Sequence, residues 1–202
     1  MKDIDTDFFK VPVVPRNIHE GDMLVAEPFL TDTWFKHGVV SIIDYDREGG
    51  ATGVVLNNTM NYALHEVLDG VAQSTDVPVY CGGPMSQDRL YFIHTLGEQI
   101  MPGARMYSPG LYIGGDFDAA IQYINDGYPT RGIIRFFVGY SGWGPGQLEE
   151  EIDSGSWAVL PAFDDPQRHL AGHDSAFWHE AVRSLGPAYR PWQLIPANPR
   201  EN

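Results

Sequence analysis

Arg131–Ala162 reads RGIIRFFVGYSGWGPGQLEEEIDSGSWAVLPA, and its order of apolar run, glycine cluster, charged stretch and second apolar run organises the chain. Ile133, Ile134, Phe136, Phe137 and Val138 form a nearly continuous apolar run, the pattern of a central strand covered on both faces. Four glycines and Pro145 between Gly139 and Gly146 predict a shaped loop, because glycine permits positive φ and proline fixes its own. Gln147 to Ser154 then reads as a short helix. Leu148 and Ile152 share one face, Glu149, Glu150 and Asp153 lie elsewhere, and Gly155 is placed to end it. A glycine loop before a helix can cradle phosphate, but Glu149, Glu150 and Glu151 repel an anion and no lysine follows the glycines.

Outward from this segment the text alternates short strands and helices. Met23–Pro28 (MLVAEP), Gly38–Asp44 (GVVSIID) and Thr52–Asn58 (TGVVLNN) read as strands, with Asp46 to Gly50 as a hairpin turn. Asn61 to Asp69 carries Leu64, Val67 and Leu68 at helical spacing, with Gly70 past its end. Val77–Gly82 and Leu90–Leu96 read as strands flanking a second glycine turn, Gly82 to Ser86. Gly110 to Gly114 is a further strand, and Asp116 caps a helix to Asp126. A last helix spans Ser175 to Leu185, and the tail from Pro191 supplies an edge strand. This interleaving predicts an α+β fold with a mixed, largely antiparallel sheet and helices packed on it rather than a doubly wound dinucleotide fold.

The length of 202 residues suits a single domain from 21 to 202 with an N-terminal arm or tail over residues 1–20, and Phe8 and Phe9 favour an arm that docks. A net charge of −14, with 13 scattered Lys and Arg, argues against nucleic-acid and anionic-membrane partners, since both need a basic face. The lone Cys81, an N-terminus too polar for a signal peptide and the lack of a membrane-length apolar run point to the cytoplasm.

No catalytic motif is complete. The Gly139 to Gly144 run fails the nucleophile-elbow spacing because Trp143 stands where glycine is required. Ser141 would need a base such as His94 brought to it by the fold. His169 and His173 lie before a helix rather than on one, with Asp174 as its cap, so they do not present a metal-binding face, and no cofactor or metal is expected. Cys81 follows an apolar strand and reads as a buried, inert thiol. Tyr140, Trp143 and Trp157 can wall a pocket with Asn57, Ser141 and Gln147 as polar groups.

Four blocks, GDMLVAEPFLTDTWFKHGVVSII from Gly21, GATGVVLNN from Gly50, CGGPMSQDRLYFIHT from Cys81 and VGYSGWGPGQLEEEIDSGSWAVLPA from Val138, resemble in order and spacing the AlgH/YqgE family of bacterial proteins. The resemblance implies a bifurcated sheet curled into a pseudo-barrel with flanking helices. It also carries a label of transcriptional regulator that rests on genetic association with alginate production rather than on a DNA-binding motif. The family pattern picks out Asn57, Gly82, Gly83, Pro84, Arg89, His94, Gly139, Ser141, Trp143, Gly146, Gln147, Leu148, Glu151 and Trp157 as candidate pocket residues. Three positions depart from it: Asp44 replaces a frequent cysteine, Asn58-Thr59 a basic residue and proline, and Leu90 a glycine. The reading is therefore a non-catalytic binding or regulatory protein with an unknown small molecule or protein as partner, its pocket near the Gly82-Gly83-Pro84 and Ser141 to Gln147 loops, which are expected to meet in the fold. An enzyme of hydrolase or transferase type using Ser141 or His94, and a DNA-binding regulator, which the net charge disfavours, are the alternatives.

Overall fold

Strand β9 (Ile134–Trp143) is the trunk of the molecule, and both sheet branches leave from it. A computed structural model describes Val11 and residues 17–195 of the chain. Along one edge β9 pairs antiparallel with β6 (Met85–His94). Its other edge is shared. Phe136 to Val138 run parallel to β5 (Pro78–Cys81), and Ser141 to Trp143 run antiparallel to β3 (Gly50–Val55). The fork falls at Gly139, where φ is 71° and an added Cβ would lie 2.6 Å from the Gly83 carbonyl oxygen. The glycines expected to end the strand and open a loop instead bend it, so β9 runs on to Trp143.

Beyond β3 the sheet continues through β2 (Val39–Asp46) and β1 (Met23–Ala26) to β10 (Trp157–Leu160), all antiparallel. Beyond β6 it continues through β8 (Leu111–Ile113) to β7 (Arg105–Ser108), while β4 (Thr59–Ala63) pairs with β5. The two branches curl toward each other, bringing β7 against β2. Arg105 Nη2 donates to the Ile43 carbonyl at 2.5 Å, and the Tyr107 and Ser41 hydroxyls are 3.4 Å apart. No strand ladder joins β7 to β10 among the described residues, so the bifurcated sheet is curled but not closed into a barrel.

Helices cover the branches where apolar side chains demand it. Helix α1 (Phe117–Asn125) starts at Asp116, whose carboxylate accepts from the Ala119 N–H at 3.0 Å, and buries Ala120 and Ile124 against Phe92 and Phe136. Helix α2 (Gln147–Asp153) buries Leu148 and Ile152 with Trp143 and Trp157. The opposite face of that branch carries α4 (Asp174–Leu185), with Phe177, Trp178, Ala181 and Val182 buried against β1 and β2. Val11, the part of the expected arm that precedes residue 17 in the described structure, packs against the same cluster; Phe8 and Phe9 lie outside the described residues.

Four local expectations are corrected. The helix expected over Asn61 to Asp69 is β4 followed by a single 3₁₀ turn, Leu64–Glu66, because the free edge of β5 recruits Thr59 to Ala63 and leaves Val67 exposed. The tail forms a 3₁₀ helix, Pro187–Leu194, in place of an edge strand, since Pro187 and Pro191 have no N–H for a ladder. His169 lies on a helix, α3 (Pro166–Ala171), started by Asp165 as cap and Pro166 at its first position. Asp174 does not cap α4 but begins it, and its carboxylate turns to Thr59 and His173.

Candidate functional site

The two glycine segments meet, and they meet as packed backbone. The Gly82 carbonyl accepts from the Val55 N–H at 2.9 Å and from the Ser141 hydroxyl at 3.0 Å, while the Gly82 N–H donates to Val138. A Cβ on Gly83 would lie 2.4 Å from Ser141 Oγ. Ser141 is fully buried, and its hydroxyl is committed to that carbonyl. His94 sits opposite Ile134, seven residues along β9 from Ser141, which is roughly 20 Å of strand. Its ring is also taken: Leu96 N–H donates to Nδ1 at 3.2 Å, and Nε2 lies 3.0 Å from the Gly114 carbonyl. Burial holds the His94 imidazole below its ordinary pKa, so it is neutral. The pairing an enzyme would need between these two residues is therefore not made.

Trp143, Gln147, Glu151 and Trp157 form one closed network. Both indole N–H groups donate to Glu151 Oε2, at 2.9 and 2.8 Å, and Gln147 Nε2 donates to Oε1 at 2.9 Å. Gln147 Oε1 in turn accepts from the Gly144 N–H at 3.0 Å. Phe35 packs on both indoles. These side chains lock the β9 to α2 turn. Arg89 is exposed on β6, and Cys81 is buried with its thiol pKa raised by desolvation.

A hollow of about 310 Å³ lies elsewhere, lined by Thr33, Lys36, His37, Asn57, Asn58, Thr59, Asp174 and Ser175 among others. Asn57 builds it. Its Oδ1 accepts from the Val39 N–H at 2.8 Å, its Nδ2 donates to the carbonyls of His37 and Asp174 at 2.9 Å each, and its own carbonyl accepts from the Asp174 N–H at 3.1 Å. One amide thus joins the start of β2, the His37 turn and the start of α4. Both His37, φ 51°, and Asp174, φ 54°, hold left-handed backbone that non-glycine residues adopt only at a cost. Thr59 donates to Asp174 Oδ1 at 3.1 Å. Of the candidate residues read from the sequence, Asn57 alone lines this hollow, together with the departing pair Asn58-Thr59.

Sequence reading also missed a buried polar chain: His169 Nε2 lies 2.8 Å from Ser41 Oγ, next to Tyr107, with all three buried. Desolvation, with the Arg135 charge adding, pushes His169 down to about 3, so it is a neutral core residue with no route for a substrate. Its 128-residue separation from Ser41 left no local signal. Among the described residues no three His, Cys, Asp or Glu side chains converge as a metal site, and no helix is long and apolar enough to cross a membrane.

The AlgH-like family model (DUF179) matches residues 23–190. The chain belongs to the AlgH-like family. It is 40% identical over 183 residues to a UPF0301 protein of Parabacteroides distasonis, covering 91% of each chain, and 36% identical over 200 residues to one of Bacteroides fragilis, covering 98% and 99%. Its fold is that of protein DIP2367 from Corynebacterium diphtheriae (TM-score 0.69, 24% identity, 90% and 94% covered). It is also that of the AlgH protein from Pseudomonas aeruginosa (TM-score 0.63, 24% identity, 86% and 94% covered). At 24% identity, those structures bear on the architecture of this AlgH-like chain.

Proposed function

We propose that this AlgH-like protein is a non-catalytic, cytoplasmic binding protein that holds a small polar molecule in the hollow built by Asn57, and that any regulatory role runs through that ligand. The observation that carries the reading is the coincidence of two left-handed, non-glycine residues, His37 and Asp174, on the wall of one polar hollow. Backbone strain of this kind costs about 1–3 kcal/mol per residue and concentrates where a ligand is clamped. The volume, about 310 Å³, stands at the small end of ligand pockets and suits a metabolite rather than a peptide. Lys36 and Asp174 place opposite charges on the wall, with Asn58, Thr59 and Ser175 offering donors and acceptors between them. The net charge of −14 disfavours duplex DNA as the partner.

Amide-resolved NMR titration with a library of small polar metabolites tests this. A true ligand shifts residues 33–38, 57–59 and 174–175 together and saturably. Compounds that bind while leaving these resonances still, or a full library without a binder, would refute the proposal.

A further inference from the structure

A second hollow, of about 270 Å³, is lined by Leu170 and Ala171 at the end of α3 and by His173 just before α4. Tyr80, Thr130, Arg131, Arg135 and His173 contribute to its wall. Arg135 is only 5% exposed, yet its partners are all neutral: Nη1 donates to the Leu56 carbonyl and Nη2 to those of Leu170 and Gly172. Three of its five donors are used in this way. The Tyr80 ring closes one face, with its centroid 4.1 Å from the guanidinium carbon.

Capping the last carbonyls of α3 gives Arg135 a structural role, but carbonyl dipoles do not neutralise a buried charge. Desolvation, with Arg131 nearby, lowers its pKa only to about 10, so the guanidinium stays charged at neutral pH. Arg131 is exposed, and among the described residues no carboxylate pairs with either arginine. Two cations therefore share one hollow in a protein of net charge −14, with Asp76 the acidic residue on its wall.

We propose that this hollow is an anion site for a phosphate group, held between Arg131 and Arg135. Two guanidinium groups match a dianion in charge, and arginine forks suit its oxygens. At about 270 Å³ the hollow is larger than a phosphate group, so a small organic phosphate fits it as well as the free anion.

Amide NMR of the full chain at constant ionic strength, titrated separately with inorganic phosphate, glycerol 3-phosphate, acetate and chloride, tests the assignment. The expected result is a saturable shift of Thr130, Gly132 and Ala171 with the phosphates, at least tenfold weaker in Arg131→Ala and strengthened in Asp76→Asn. Arg131 is exposed and makes no ion pair among the described residues, so its loss leaves the fold intact, and Arg89→Ala, exposed on β6 and absent from the wall of this hollow, serves as the control. Tighter binding of glycerol 3-phosphate assigns the site to an organic phosphate, and equal binding to free phosphate. Shifts that do not saturate, that chloride or acetate reproduces, or that fall equally in Arg131→Ala and Arg89→Ala overturn the proposal. The resonances differ from those of the Asn57 hollow, so the two proposals fail separately.

Discussion

Asn57 carries more of the structure than any local feature of its sequence suggests. Asn57→Ala leaves the Val39 N–H and the carbonyls of His37 and Asp174 without their side-chain partner, at a cost of roughly 2–4 kcal/mol. Asn57→Asp is expected to be at least as damaging, because it sets a buried negative charge against two carbonyl oxygens. Urea unfolding of both variants measures this. His169 supplies a pH signature. Its folded pKa, about 3, lies below the ordinary 6.5, so the folded state binds fewer protons than the unfolded chain. The stability from keeping it neutral is complete above about pH 6.5 and falls by about 1.4 kcal/mol per unit as pH drops toward 3, reaching a loss of about 2 kcal/mol at pH 5. His169→Gln should flatten the stability profile by that slope between pH 6 and 5; an unchanged slope would show that the imidazole does not titrate in this way.

At the scale of elements, α2 is held by a carboxylate serving two indoles. Glu151→Ala strands both indole donors and should cost roughly 2–4 kcal/mol, whereas Glu151→Gln keeps an acceptor and should cost less than half as much. Urea midpoints followed by tryptophan fluorescence separate the two. Much of this level was legible in the residues. The apolar run before Gly139, the Asp116 cap, the hairpin at Asp46 to Gly50 and the α2 face all appear as read, because each depends on neighbours within a few positions. The failures share a cause. Leu64, Val67 and Leu68 have helical spacing, but the unpaired edge of β5 decides the conformation of Thr59 to Ala63 from outside the segment. The Asp165-Pro166 start of α3, by contrast, is a helix signal carried by adjacent residues and legible in the sequence.

For the molecule as a whole, the decisive feature is the fork at Gly139, where β5 and β3 divide one edge of β9 while β6 holds the other. Gly83 is its wedge. Gly83→Ala places a methyl 2.4 Å from Ser141 Oγ and the Tyr140 backbone at φ 150°, and should cost roughly 2–4 kcal/mol. Gly103→Ala, at φ 78° with nothing within 4 Å, should cost only about 1 kcal/mol. Thermal denaturation of the pair distinguishes a packed fork from simple backbone strain. The same fork explains why the site was only partly readable. Glycines that bring strands together look in the text like glycines that open a pocket, whereas Asn57, Asp174 and His37 come together only once the sheet has placed them. The most direct test of the whole reading is native mass spectrometry of small molecules retained by the purified protein, compared with Ser175→Trp, which fills the hollow, and Gln147→Ala, which loosens the α2 turn. The account predicts that Ser175→Trp loses the retained molecule and Gln147→Ala keeps it. Loss in Gln147→Ala with retention in Ser175→Trp would contradict it and return the site to the glycine turn.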